Sequence, residues 1–413
     1  MTDLSTMGSV SPAGTDRLAL RPMILLFIGL FATAVGQAFV FAILPPLGRS
    51  VGMDEVHITG IISTSALVFT LVAPIWGRFS DRVGRKPVII IGLMGYSLGS
   101  LSFAVLFSLA GTGIITGTTL FLTALILRSL QSATMSATHP GCTAYAVDHT
   151  VAQFRIKTLA RLASANSLGM IMGPVLAGLV AGLGLLAPLV VASILCAIAA
   201  IIIALKLSTG VPPRAVSSQP KKMGYLDPRV RLYLLSAIGA FTGFAMVQQT
   251  LAFRLQDDFA LSGIETAQYT GWAMMASAAS TLVMQFSVVQ RFNGPPTKLV
   301  QWGAGILAGG TLAISVFDSW PAVISSMALI GAGLGLLMPA VSAGASIAVG
   351  PEEQGGVAGL VSACPAAGFV LGPVTGGFLY QYSSTAAAWG AAIILIGVFL
   401  ATLPRTRAQG PDH

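Results

Sequence analysis

Charge is what this sequence has least of. Asp, Glu, Lys and Arg make up 9% of its 413 residues, where an ordinary soluble domain carries roughly a quarter. So few charges cannot cover a water-facing surface, which excludes a conventional globular enzyme. Cysteine is scarce as well: Cys142, Cys196 and Cys364 are odd in number and lie in or beside apolar segments. Their spacing matches neither a disulfide framework nor a metal site, so they read as small buried side chains. The sequence holds no P-loop, nucleophile elbow or metal-ligand cluster, so no cofactor, no metal and no enzymatic activity are expected. A net charge of +8 and a pI near 9.7 could suggest nucleic acid, but position decides more than total. No nucleic-acid partner is expected.

What is abundant is apolar length. Hydrophobic residues make up 54% of the chain and the mean hydropathy is +0.84. Runs of about 20 residues, the length a helix needs to cross a bilayer core, recur at about 22–47, 57–77, 87–110, 114–146, 158–182, 186–207, 231–254, 265–289, 298–317, 321–348, 356–380 and 385–404. The expected fold class is an all-α polytopic membrane protein, with twelve transmembrane helices in two six-helix pseudo-repeat bundles. The first run is too long for a signal h-region and lacks a small-residue cleavage site. The expected organisation is a disordered N-terminus at 1–21, a bundle at 22–207, a Pro-rich basic central loop at 208–230, a second bundle at 231–404 and a tail at 405–413. With the N-terminus inside, 19 of the 22 basic residues fall in segments on that side. Positive charge retained in the cytoplasm sets topology, so both termini are expected to be cytoplasmic.

An internal repeat supports the two halves. GMIMGPVLAG begins at Gly169 and GFVLGPVTGG at Gly368, an offset of 199 that Pro140 and Pro339 share. Glycines 169, 173 and 178, and their counterparts 368, 372, 376 and 377, give helix faces with almost no side chain, which permits close packing. Pro174 and Pro373 each remove a backbone hydrogen bond and can bend the helix. GRFSDRVGRK, residues 77–86, packs five charges into one turn between the second and third runs. Asp81 there can pair with an arginine or sit at a helix N-terminus. The fourth run holds LRSLQSATMSATHPG. Arg128 lies near its middle, where an isolated cation costs at least ~2.5–3.5 kcal/mol on insertion scales, so it must face a polar cavity or a partner. At 100° per residue, Arg128, Gln131, Ser132, Met135 and His139 share one helix face.

GRFSDRVGRK resembles the cytoplasmic-loop signature of the major facilitator superfamily at every defined position. R-x-x-Q from Arg128 resembles that superfamily's fourth-helix motif, with Ser132 where the family usually has glycine. The glycine-proline stretches resemble the signature of its exporters, in particular the twelve-helix drug:proton antiporters. The resemblance covers essentially the whole chain. It implies that Asp81, with Arg82 and Arg85, helps hold the halves together on the cytoplasmic side in the outward-open state, that Arg128 serves proton coupling, and that the glycine-proline segments act as packing hinges. It also implies a cavity lined by spans one, four, seven and ten, where Gln37, Gln131, Met135, His139, Gln248, Gln249 and Met338 join Arg128 as candidate wall residues.

All 14 acidic residues fall in loops, termini or helix ends by these spans. That leaves Arg128 as the one formal charge expected at membrane depth, and points to a neutral or anionic solute, such as a siderophore-like or other secondary metabolite or a drug. The expected function is secondary active, proton-coupled export by alternating access, from a monomer in the bacterial inner (cytoplasmic) membrane. A nutrient importer or symporter of the same fold is the alternative.

Overall fold

A computed structural model describes residues 18–209, 224, 226–350 and 352–403. Residues 1–17 of the expected disordered N-terminus, most of the central loop and the tail lie outside the described residues, while Leu20 and Arg21 already belong to the first helix. The first half comprises α1 (Leu20–Ser50), α2 (Glu55–Val83), α3 (Arg85–Gly111), α4 (Gly117–Met135), α5 (Thr138–Asp148), α6 (Ala152–Ala181) and α7 (Ala187–Lys206). The second comprises α8 (Arg231–Phe259), α9 (Gly263–Met284, continued by a π-helical turn at Gln285–Val289), α10 (Pro296–Val316), α11 (Trp320–Ile347), α12 (Gln354–Tyr380) and α13 (Ala386–Ala401). Taking α4 and α5 together, eleven segments among the described residues are long and apolar enough to cross a membrane; α13 is apolar but has 16 residues.

Several boundaries differ from the sequence expectation, two of them at prolines. Span one runs on to Ser50, because Pro45 and Pro46 are accommodated inside the helix; neighbouring packing satisfies the freed backbone groups in membrane helices. Span four breaks at Ser136–Ala137 into α4 and α5, three residues before Pro140, which cannot donate into the preceding turn. At the 84–85 junction the chain reverses through Gly84 at φ +94°, a left-handed conformation that glycine adopts without strain.

Each half has its own core. Leu26, Phe39, Leu93, Tyr96, Phe103 and Ile203 belong to the first; Leu234, Leu307, Ile330, Leu337 and Leu395 belong to the second. Without a hydrophobic drive between helices in lipid, close packing depends on small residues. Gly303 of α10 and Gly333 of α11 show this: a Cβ on either would meet the other's carbonyl oxygen within 2.8 Å. The buried hydroxyls of Ser97 and Ser193 share a hydrogen bond of 3.1 Å between α3 and α7.

Candidate functional site

The halves meet along two seams, α6 against α9 and α12 against α2, and glycine decides how closely. Gly169 and Gly173 of the first motif face α1 in their own half, where a Cβ would lie 2.5 Å from Ala34 Cβ and 2.3 Å from Ala38 Cβ. Gly178 instead faces the other half: its Cβ would come within 2.9 Å of Gln268 Cα on α9. The second motif repeats the division. Gly368, Gly372 and Gly376 pack on α8, while Gly377 crosses to Thr59 of α2, which leaves no room for a Cβ there. The 199-residue offset therefore relates residues that do equivalent work on opposite seams. Gly271 of α9 completes the first seam against Pro174 O, and the amide of Val374 donates to Ser63 Oγ across the second at 3.0 Å.

These contacts gather at one end of the molecule, where a polar network closes it. Arg49, at the end of α1, donates to both carboxylate oxygens of Asp257 on α8 at 2.7 and 2.8 Å, to Glu55 and to the Phe253 carbonyl at 3.2 Å. Its guanidinium stacks 4.8 Å above the Phe253 ring, and the Tyr380 hydroxyl donates to Asp257 at 2.7 Å. Four helices from both halves converge on one cation. A second arginine nearby, Arg254, is 3% exposed and pairs with Asp258 at 2.8 Å and Asp318 at 2.5 Å. Arg128 is thus not the only buried formal charge, as its sequence position implied. Arg254 closes the seventh apolar run in the sequence, but α8 continues past it to Phe259, and its two carboxylates make burial tolerable.

Between the seams lies a cavity of about 820 Å³. Its wall residues His139, Asn166, Ser167 and Ser362 are exposed, whereas Ala42, Ser65, Gln248 and Thr270 are buried. It therefore opens at the end opposite the Arg49 network. Among the described residues, no Asp, Glu, Lys or Arg lines it. Of the candidate wall residues, Gln37, Met135, His139, Gln248 and Met338 line it; Arg128, Gln131 and Gln249 do not.

Arg128 stands one layer behind. It is fully buried and donates to Gln37 Oε1 at 2.8 Å and to Gln131 Oε1. Gln131 in turn donates to Ser100 Oγ at 2.8 Å and to the Tyr96 carbonyl at 3.2 Å. The expected shared helix face holds for Ser132, Met135 and His139 on the wall, but Arg128 and Gln131 turn toward α3, where Gly99 leaves room for Gln131.

At the open end, Arg85 links the charged turn to α5, donating to Asp81 at 2.5 Å, to Ser80 Oγ at 2.6 Å and to Asp148 at 2.8 Å. Arg82 is exposed. All these partners belong to the first half, so the Asp81 carboxylate makes no bond across the seam among the described residues. No group of three or more His, Cys, Asp or Glu side chains that could hold a metal occurs among them either. Sequence reasoning missed Phe369 and the Arg49–Asp257–Tyr380 network. Their sole signal was opposite charge at the ends of the first and seventh spans.

Two helical bundles joined at glycine seams, around a central cavity closed at one end, define a membrane transporter. The chain belongs to the Major Facilitator Superfamily, whose family model matches residues 26–364 and 234–412. It is 27% identical over 370 residues to multidrug resistance protein 1 of Bacillus subtilis (strain 168), covering 86% of this chain and 89% of that protein. It is 25% identical over 389 residues to the class G tetracycline resistance protein of Vibrio anguillarum, covering 91% and 93%. Among solved structures, a bacterial homologue of the human lysosomal transporter Spinster, inward-facing and occupied, superposes with a TM-score of 0.73 at 14% identity, covering 92% of this chain and 93% of that one.

Proposed function

We propose that this transporter is a secondary exporter that moves a neutral or anionic small organic molecule outward by alternating access, driven by the proton gradient. The observation that carries the reading is a cavity wall without a formal charge among the described residues, backed by one guanidinium that donates to the amide oxygens of Gln37 and Gln131 and has no carboxylate partner among them. A cation would find no carboxylate there; an anion would find the one favourable field. Relatives named for multidrug and tetracycline resistance favour export. The cytoplasmic end is taken as the open one, since Arg78, Arg82, Arg85, Lys86, Arg155 and Lys157 sit there and basic residues stay inside. Both termini are then cytoplasmic, the membrane is the bacterial inner membrane, and the working unit is a monomer because each chain holds a whole cavity.

In this orientation Asp81 is a gate element in its released state. Its side chain is 56% exposed, and it is available to the second half once the cytoplasmic end closes. Removing an exposed ion pair alters stability by only ~0–1 kcal/mol, so Asp81→Asn is expected to leave the melting temperature nearly unchanged while slowing transport severalfold. Measuring both on one preparation checks this; a large loss of stability with intact specific activity would sink the gating role. Export itself is tested in inside-out vesicles energised by an imposed pH gradient. Anionic solutes should accumulate in wild-type vesicles, and Arg128→Ala should abolish accumulation. Accumulation only in the opposite direction would establish an importer instead.

A further inference from the structure

Among the described residues Arg128 and Arg254 are buried and Arg49 is partly buried, and the three are compensated differently. Arg49 has Glu55 and Asp257, and Arg254 has Asp258 and Asp318. Arg128, the most deeply buried, has no ion-pair partner among the described residues. Two amide oxygens hold it, and its Nε makes no hydrogen bond. A buried unpaired cation in a low-dielectric interior exerts a strong pull on any anion that can reach it. What separates it from the cavity is one side chain, Gln37, which lines the wall and is only partly buried.

One helical turn further along α1, on the same face, stands Phe41. Its ring stacks on Phe369 of α12, with centroids 5.6 Å apart and planes 4° from parallel. Phe241 and Phe244 of α8 close on Phe369 at 6.2 and 6.3 Å. All four line the cavity toward its closed end, and Phe41 comes from the half opposite the other three. Beside them, the buried Gln248 Oε1 and Thr270 Oγ1 make no hydrogen bonds.

We propose that Gln37 is a placeholder, and that the site takes a planar aromatic carboxylate. The ring packs against the Phe41–Phe369 cluster, and the carboxylate displaces the Gln37 amide oxygen from Arg128. This rests on the exporter reading above and narrows its solute. It gives the two halves one ligand to share: the carboxylate is held by the first half, and the ring mainly by the second. Aromatic packing favours flat ligands, and exchange of an amide oxygen for a carboxylate strengthens each hydrogen bond to the guanidinium.

The test is equilibrium binding to the purified full-length protein in lipid nanodiscs, with four probes: 2-naphthoate, 2-naphthamide, decahydro-2-naphthoate and a naphthylmethyl trimethylammonium. The wild type should bind naphthoate about fivefold or more tighter than each of the others, because the amide lacks the charge-assisted bond, the saturated analogue lacks ring stacking and the cation meets the guanidinium's like charge. Gln37→Ala should tighten naphthoate and leave naphthamide unchanged. Phe369→Leu should erase the preference for naphthoate over its saturated analogue, and Arg128→Gln the preference over the amide. If the Arg128 variant does not fold, the Gln37 and Phe369 arms still decide. Equal binding of naphthoate and naphthamide by the wild type, or weaker naphthoate binding by Gln37→Ala, overturns the proposal. Flux in the import direction with these preferences intact overturns only the exporter reading.

Discussion

Arg49→Ala is expected to throw the closed end open. The substitution removes the single cation shared by Glu55 and Asp257 and leaves two carboxylates from opposite halves facing each other. Hydrogen bonds to charged groups contribute a net ~1.5–3 kcal/mol each when buried, and the pair here is partly exposed. A shift of about 2 kcal/mol changes the ratio of the two conformers roughly 30-fold. The shift can be read at Ser65, which is 2% exposed and lines the cavity. With the three native cysteines replaced, Ser65→Cys in right-side-out vesicles should resist an impermeant maleimide when Arg49 is present and react readily when it is alanine. Arg49→Lys keeps one charge but loses the bidentate fork, and should fall between. Transport should drop sharply in Arg49→Ala, because a carrier that cannot re-form its closed outer end completes no cycle. Labelling that stays equally slow in all three would remove the network from any role in closure.

The second large effect separates two kinds of glycine. Gly271→Ala places a Cβ 2.6 Å from Pro174 O, a backbone atom of the other half. Real Cβ atoms essentially never stand so close, so the α6–α9 seam must part. Gly173→Ala places its Cβ 2.3 Å from Ala38 Cβ within one half. Both substitutions disturb close helix packing, but at interfaces with different fates during the cycle. The Gly173 interface persists throughout, and overpacking it costs about 1–3 kcal/mol of fold stability. Under alternating access, the Gly271 interface exists only while the Arg49 end is closed. Gly173→Ala should therefore lower the melting temperature with Ser65→Cys still protected. Gly271→Ala should leave the melting temperature near wild type and expose the Ser65→Cys thiol. A uniform loss of stability in both would mean that the seams are permanent packing rather than a gate.

The helices and the repeat were legible because both are written in local pattern: apolar length, and glycines spaced to share a face. The two jobs of the motif glycines were not. Gly178 stands about 140° around the helix from Gly173 at 100° per residue, but nothing local says which of the two meets α1 and which α9. Arg128 was legible as a buried cation in need of partners, and Gln37 was already named as a wall residue. That the two bond each other across 91 residues was not. Periodicity placed Arg128 on the cavity face with His139. The Gln131 side chain instead packs into the space left at Gly99 of α3 and Arg128 bonds to it, while Ser132 and Met135 of the same helix stay on the wall with His139. The Arg49 network joins residues more than 200 positions apart, and no local rule connects a basic helix end to an acidic one at that separation.

The central claim is that one cavity between two rigid bundles is reached alternately from its two ends. Pairs of spin labels test it directly: Val83 with Arg291 across the open end, and Ser50 with Ser262 across the end closed by Arg49, in the full chain in nanodiscs. In wild type the pair at the Arg49 end should be close and the pair at the open end far apart. In Arg49→Ala the two distance distributions should exchange, one lengthening as the other shortens. Both pairs lengthening together, or neither changing while transport continues, would contradict alternating access about this cavity.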